Sequence, residues 1–76
     1  MNGLIEHIVG SLVDYPDDVS VHLDKDGDLD VYEIEVHEED IGRIIGRQGR
    51  TANAIRAVVG AAAAKKGQQA QVEILD

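Results

Sequence analysis

The four residues at positions 46–49 read Gly-Arg-Gln-Gly, and an arginine follows at position 50. Glycine allows positive φ and lets another backbone approach closely. Where such a turn leads into a helix, the free N–H groups and the dipole of the helix attract phosphate. Arg47 and Arg50 add positive charge and forked hydrogen-bond donors. This combination of residue types indicates a loop that could hold a phosphodiester backbone.

The charge of the chain is unevenly distributed around this loop. Residues 43–66 contain six arginines and lysines and no acid, although the whole 76-residue chain has a net charge of −8 from 15 acids and 7 bases. Such polarity can confine an anionic partner to one face of a protein. The alternative interpretation is a chance fluctuation of charge over a solvated surface.

Aliphatic residues accompany the loop on both sides. We expect Ile41, Ile45 and Ile55 to lend surface to an apolar groove in which bases could lie flat. The chain has two tyrosines and neither phenylalanine nor tryptophan. Stacking on aromatic platforms, which many single-strand binders use, is therefore not expected to be the main source of affinity.

The first half of the chain must form a helix and a hairpin. Apolar residues recur at helical spacing over residues 3–13, and Pro16 is predicted to end this helix. Alternating patterns at 19–23 and 32–36 predict two strands, and Asp26-Gly27 is a turn signal between them. Residues 19–36 are therefore predicted to form a hairpin.

The second half must form two helices around the loop and a last strand. Three acids at 38–40 suit the start of a short helix, whose predicted buried stripe is Ile41, Ile44 and Ile45. A longer helix is predicted from Arg50 to about Lys66, followed by a strand at 70–74. The order is α-β-β-α-α-β, and the long crossover permits the strands that flank the helix pair to lie parallel.

The run GRIIGRQGRTA at residues 42–52 resembles the signature of KH domains, whose GXXG loop clamps about four nucleotides. The element order is similar to the type II KH arrangement. The segments at 15–19 and 54–56 also resemble small bacterial proteins that contain little more than one KH domain. The resemblance implies an α+β fold, a single type II KH domain over residues 1–76, with three helices on one face of a three-stranded mixed sheet.

The resemblance implies an RNA-binding protein that clamps a short single-stranded segment, as an RNA chaperone or post-transcriptional regulator. The implied RNA-binding residues comprise a backbone clamp, two flanking cations and two groove residues: Gly46, Arg47, Gln48 and Gly49; Arg43 and Arg50; Ile45 and Ile55. The alternative for the loop itself is a plain helix–helix turn, since glycines serve turns in many proteins.

A second apolar stripe occupies the long helix at Ala57, Val58, Ala61 and Ala64. A helix on a single sheet needs only one buried face, so this second stripe predicts a symmetric homodimer. The resemblance also implies pairing with a larger KH-containing protein. A protein-interaction or dimerisation module with secondary RNA contact is thus the alternative function, and alanine serving only as a helix former is the alternative for the stripe.

No constellation of residues indicates catalysis or a metal. His7, His22 and His37 have no ligand spacing. The alternating acids at 24–30 lack the glycine of a calcium loop and are flanked by predicted strands. We expect no enzyme, no catalytic residue, no metal and no cofactor. The absence of cysteine and of any long apolar run predicts a cytoplasmic protein with no membrane partner.

Overall fold

Three α-helices cover one face of a three-stranded sheet in the computed structural model, which describes residues 1–75. The order confirms the α-β-β-α-α-β prediction and the α+β class. The main elements are α1 Asn2–Gly10, β1 Ser20–Asp26, β2 Leu29–Glu35, α2 Ile41–Ile45, α3 Arg50–Ala64 and β3 Gln69–Leu75. Short 3-10 helices lie at Pro16–Asp18, Glu38–Asp40 and Arg47–Gly49.

The sheet is mixed, as predicted. Strand β2 lies in the centre, antiparallel to β1 and parallel to β3. The hairpin is tighter than its sequence pattern indicated, because Asp26 pairs with Leu29 and leaves a two-residue loop. The first loop residue, Gly27, has φ 62, the position where a type II′ turn requires glycine. Parallel pairing of β2 and β3 places α2, the GXXG loop and α3 on the crossover between them.

The two faces of the sheet differ in character because side chains alternate along each strand. Tyr32 and Ile34 are buried beneath the helices. Glu33, Glu35 and Glu73 alternate with buried residues and lie on the uncovered face. Carboxylates therefore collect on the side of the sheet that faces away from the basic helix layer, which disfavours RNA there.

Helix α1 is shorter than predicted. It buries Ile5 and Val9 but ends at Gly10, so the prediction that Pro16 ends it is wrong. The hydroxyl of Ser11 donates a hydrogen bond to the Ile8 carbonyl at 2.7 Å and competes with helix continuation. Pro16 instead occupies the first position of the following 3-10 helix, where its missing N–H is not needed.

Helix α3 follows its prediction closely. Its inner face buries Ala52, Ile55, Val59 and Ala63, and Gly67 at φ 72 ends it. The backbone N–H of Gln68 donates back to the Ala63 carbonyl at 3.0 Å, which is typical of a glycine C-cap. The helix thereby returns the chain to the start of β3 and fixes the GXXG loop at its opposite end.

The GXXG loop as a candidate nucleic-acid interface

The GXXG loop turns the chain sharply between α2 and α3. Three of its four residues have positive φ: Gly46 at 75°, Gln48 at 58° and Gly49 at 77°. A Cβ atom at Gly46 would collide with the Thr51 side chain and lie 2.8 Å from the Thr51 backbone nitrogen. The first glycine is therefore required by both its conformation and its space, whereas the second is required by its conformation alone.

The loop presents the N-terminus of α3 to solvent. Gly49 is the N-cap residue, and no side chain caps the first turn. Arg47, Gln48 and Arg50 are exposed around it. Uncapped N–H groups at the positive end of a 15-residue helix form a favourable environment for an oxyanion.

The three predicted site arginines are not equivalent. The guanidinium of Arg43 lies 2.9 Å from an Asp14 carboxylate oxygen and 3.6 Å from one of Asp40. Within residues 1–75 no salt bridge engages Arg47 or Arg50. The structure thus leaves two arginines available beside the loop and neutralises the third.

This difference predicts unequal effects of removing each charge. Arg50→Gln is expected to weaken RNA binding about three- to tenfold, since a cation near a phosphate contributes on the order of 1 kcal/mol in a solvated site. Arg43→Gln is expected to change the dissociation constant less than twofold, because Asp14 and Asp40 already neutralise this arginine. Titrations of the two variants at one salt concentration test the ranking, which an equal or reversed loss would contradict.

The three predicted groove isoleucines lie in different environments, and Ile41 is partly buried. Ile45 was predicted to be buried with Ile44, but it is 40% exposed beside the loop, while Ile44 is fully buried. Successive helical residues point about 100° apart, and the packing of α2 turns Ile44 toward the core and Ile45 toward solvent. Ile55 is only 3% exposed and belongs to the core. Ile55 nevertheless lines an apolar groove beside Arg50. Ile45 is the exposed residue of the three, and the contact of any of them with bases stays a prediction.

Sequence reasoning missed two hydrogen bonds that Arg56 makes from the first half of α3. Arg56 donates from Nε to the Val72 carbonyl at 3.3 Å and from a terminal nitrogen to the Asn53 side chain at 3.2 Å. This arginine tethers α3 to β3 beside the start of the helix. Its i, i+3 spacing from Asn53 was a visible signal for the second contact, but the bond to β3 depends on the tertiary packing.

An apolar groove of about 330 Å³ separates α1 from the first half of α3. Ile8 and Leu12 line one wall, Ala54 and Val58 the other, and Arg50 closes the end nearest the loop. Val58 is 47% exposed. The other predicted interface residues, Ala57, Ala61 and Ala64, are also exposed on α3. The structure therefore brings the predicted stripe to the surface and extends it with residues of α1.

The exposed tyrosine lies in an acidic environment away from this groove. Tyr15 stacks on His37 with ring centroids 4.0 Å apart, and its hydroxyl donates to Glu39 at 3.1 Å. That hydrogen bond, with the neighbouring carboxylates, raises the pKa of Tyr15. The other tyrosine, Tyr32, is buried, which raises its pKa as well. Neither ring offers a stacking platform beside the loop.

The described part of the chain shows neither a metal-ion site nor a membrane-spanning helix. Residues 1–75 contain no group of three or more histidines and acids that could hold a metal ion. No helix among them is long and apolar enough to cross a membrane.

Comparisons of the sequence with known proteins point to one family. The family model described as KhpA/KhpB, KH domain, matches residues 2–74. Relatives named RNA-binding protein KhpA include one from Halalkalibacterium halodurans, 49% identical over all of both chains. Another, from Borreliella burgdorferi, is 48% identical over 96% of this chain and 89% of the relative. A third, from Bacillus subtilis, is 43% identical over 100% of this chain and 94% of the relative.

A solved structure supports the fold alone. A crystal structure of Era from Aquifex aeolicus superimposes with a TM-score of 0.69 at 19% identity, over 96% of this chain and 28% of that one. The comparisons confirm the resemblance seen in the sequence. On its element order, its GXXG loop and a family match across residues 2–74, this chain belongs to the KhpA/KhpB family of KH domains.

Proposed function

We propose that this protein binds short single-stranded RNA by holding the phosphate backbone at the GXXG loop. The observation that carries the proposal is the loop geometry, in which three positive φ values expose the uncapped start of α3 between Arg47 and Arg50. The concentration of glutamates on the opposite face of the sheet favours approach from this side. Relatives that share the whole chain are named as RNA-binding proteins.

The chemistry of the loop assigns a role to each part. The backbone N–H groups of Arg47 and Gln48, which are not used within the turn, donate to phosphate oxygens. Close approach of the phosphate requires the two glycines. The guanidinium groups of Arg47 and Arg50 add charge-assisted hydrogen bonds. Ile45 offers an aliphatic surface to a base, and Gln48 can donate or accept beside it. Contacts that are mainly to the backbone give modest sequence preference, which suits an RNA chaperone or post-transcriptional regulator.

The direct test is fluorescence anisotropy of the purified chain with a short single-stranded RNA over a series of salt concentrations. Each contacted phosphate contributes a slope of about −0.7 to the dependence of log K on log salt. A loop that holds about three phosphates is expected to give a slope near −2. No binding up to high micromolar protein, or binding that is indifferent to salt, would contradict the proposal.

We also infer a symmetric homodimer through the exposed apolar surface of α1 and α3. The groove between Leu12 and Val58 and the outer alanines of α3 is the observation that favours it. Small side chains let two helices approach closely, and dimerisation would double the RNA sites and raise avidity. The same surface would suit the larger KH-containing partner that the sequence resemblance implies, and the family model describes two kinds of protein, KhpA and KhpB. If this contact is the main activity, the chain is an interaction module with secondary RNA binding.

A further inference from the structure

The helix that carries the GXXG loop cannot hold itself in place. Helix α2 contains only five residues, Ile41–Ile45, and isolated helices below about 12 residues are marginal in water. Ile44 is its buried residue. Ile41, three residues earlier, is only partly buried against the same core. Two aliphatic side chains on one face therefore hold this short helix, and a contact at its start would add to the definition of the direction in which α2 delivers the chain into Gly46.

A buried carboxylate at the start of α2 supplies such a contact. Asp40 is fully buried. Its two oxygens accept hydrogen bonds from consecutive backbone N–H groups, those of Asp14 at 3.1 Å and Tyr15 at 3.0 Å. Two bonds from one planar group fix both the position and the orientation of the segments they join. Asp40 therefore fastens the start of α2 to the α1–β1 connection, about 25 residues earlier in the chain.

Neighbouring contacts reinforce this attachment. Arg43 bridges the carboxylates of Asp14 and Asp40, which partly neutralises the buried charge. Tyr15 stacks on His37, whose Nδ1 accepts the Glu39 backbone N–H at 3.0 Å and caps the 3-10 helix before α2. The contacts converge on the entry of α2, six residues before the loop begins. Because Arg43 is 56% exposed, its ion pairs are weak, and the two backbone hydrogen bonds are the main contacts that hold Asp40.

We propose that Asp40 is a positioning residue for RNA binding: its buried carboxylate sets the orientation of α2 and hence the geometry of the GXXG loop. The inference rests on the proposed function, because it concerns how the same loop is prepared for RNA. Asp40 is too buried to touch the ligand itself. Its effect on RNA passes through α2 and reaches the loop at Gly46, whose N–H donates to the Gly42 carbonyl at 2.9 Å.

The test is Asp40→Asn in the full chain, a change that keeps the shape but sets an NH₂ group against one of the two backbone N–H donors. We expect RNA affinity to fall about tenfold. This is the size of effect found in metalloproteins when a residue that only orients a metal ligand is replaced. We also expect the amide NMR signals of Gly46 and Gly49 to move. The matched control is Val59→Ala, which lowers the stability of the fold at an equally buried residue. Val59 lies on α3 about 15 Å from Gly49 at the end of the loop. This control should bind RNA as the wild type does.

RNA affinities are compared only under conditions in which urea titrations show each variant to be fully folded. Under those conditions, a lower stability by itself does not change the measured RNA affinity. Wild-type affinity in folded Asp40→Asn would overturn the inference. If the wild type binds no RNA, the proposed function fails, and the amide signals alone decide. Movement at Gly46 and Gly49 in Asp40→Asn but not in Val59→Ala then supports positioning, and no movement overturns it.

A second variant serves if Asp40→Asn does not fold. Chemical synthesis of the 76-residue chain with a backbone ester at residue 15 removes the N–H that Asp40 accepts and leaves every side chain in place. We expect the same direction of change with a smaller size, about threefold in RNA affinity, since one of the two bonds remains. An ester variant that folds and binds as the wild type does would overturn the inference.

Discussion

Gly49→Asp is expected to weaken RNA binding about 10- to 100-fold while the domain stays folded. A Cβ atom at this position would have only the Asn53 side-chain nitrogen near it, at 3.9 Å, so the substitution meets no steric barrier. The positive φ of 77° costs a non-glycine residue about 1–2 kcal/mol. A carboxylate beside a bound phosphate adds repulsion on the order of 1–3 kcal/mol in a partly solvated site.

The control for charge is Gly49→Asn, which has the same shape and tolerates positive φ. It should retain more affinity than the aspartate variant, because it lacks the repulsion. Anisotropy titrations with one RNA, alongside circular dichroism, separate the charge effect from the fold. Equal affinities for the two variants, or no loss in either, would show that phosphate does not approach Gly49. Gly46 is the poorer position for this test because any Cβ there disturbs Thr51 and the start of α3.

Val58→Asp is expected to convert a dimer into a monomer and to raise the dimer dissociation constant at least 100-fold. Val58 is 47% exposed in the single chain and lines the groove between α1 and α3. Dimerisation through this surface would bury its side chain. An unpaired carboxylate buried at an interface costs several kcal/mol, whereas in the free chain the same side chain points into water. Sedimentation equilibrium over a range of protein concentrations measures the change.

The matched control adds one negative charge elsewhere on the same chain. Gln71→Glu lies on the exposed part of β3 and should leave the association unchanged. A wild type that is monomeric at high micromolar concentration, or a Val58→Asp variant that still dimerises, would show that the apolar groove is not the contact between two copies. RNA affinity per loop should be equal in the monomeric variant and the wild type on an RNA too short to span two loops.

Local patterns predicted most of the fold because the rules involved reach only a few residues. The alternation at 70–74 gave a strand because period two matches the pleat, and β3 runs Gln69–Leu75. The spacing of apolar residues after Arg50 gave α3 nearly to its ends. Errors fell at boundaries, as at Gly10, where a serine side chain competes with the helix within one turn.

The sequence by itself determined the family and the position of the GXXG loop. The eleven residues 42–52 contain both the glycines that permit the turn and the start of the helix that follows it, so no distant residue is needed to recognise the motif. Only the tertiary structure decided which side chains surround the loop. Asp40 was interpreted only as one of three acids that suit a helix start, and the structure shows that it is fully buried. Arg43 was expected to face phosphate, yet it pairs with Asp14. Both outcomes depend on a segment some 25 residues away that folds against α2, and the free energy of a charge depends on the groups packed around it.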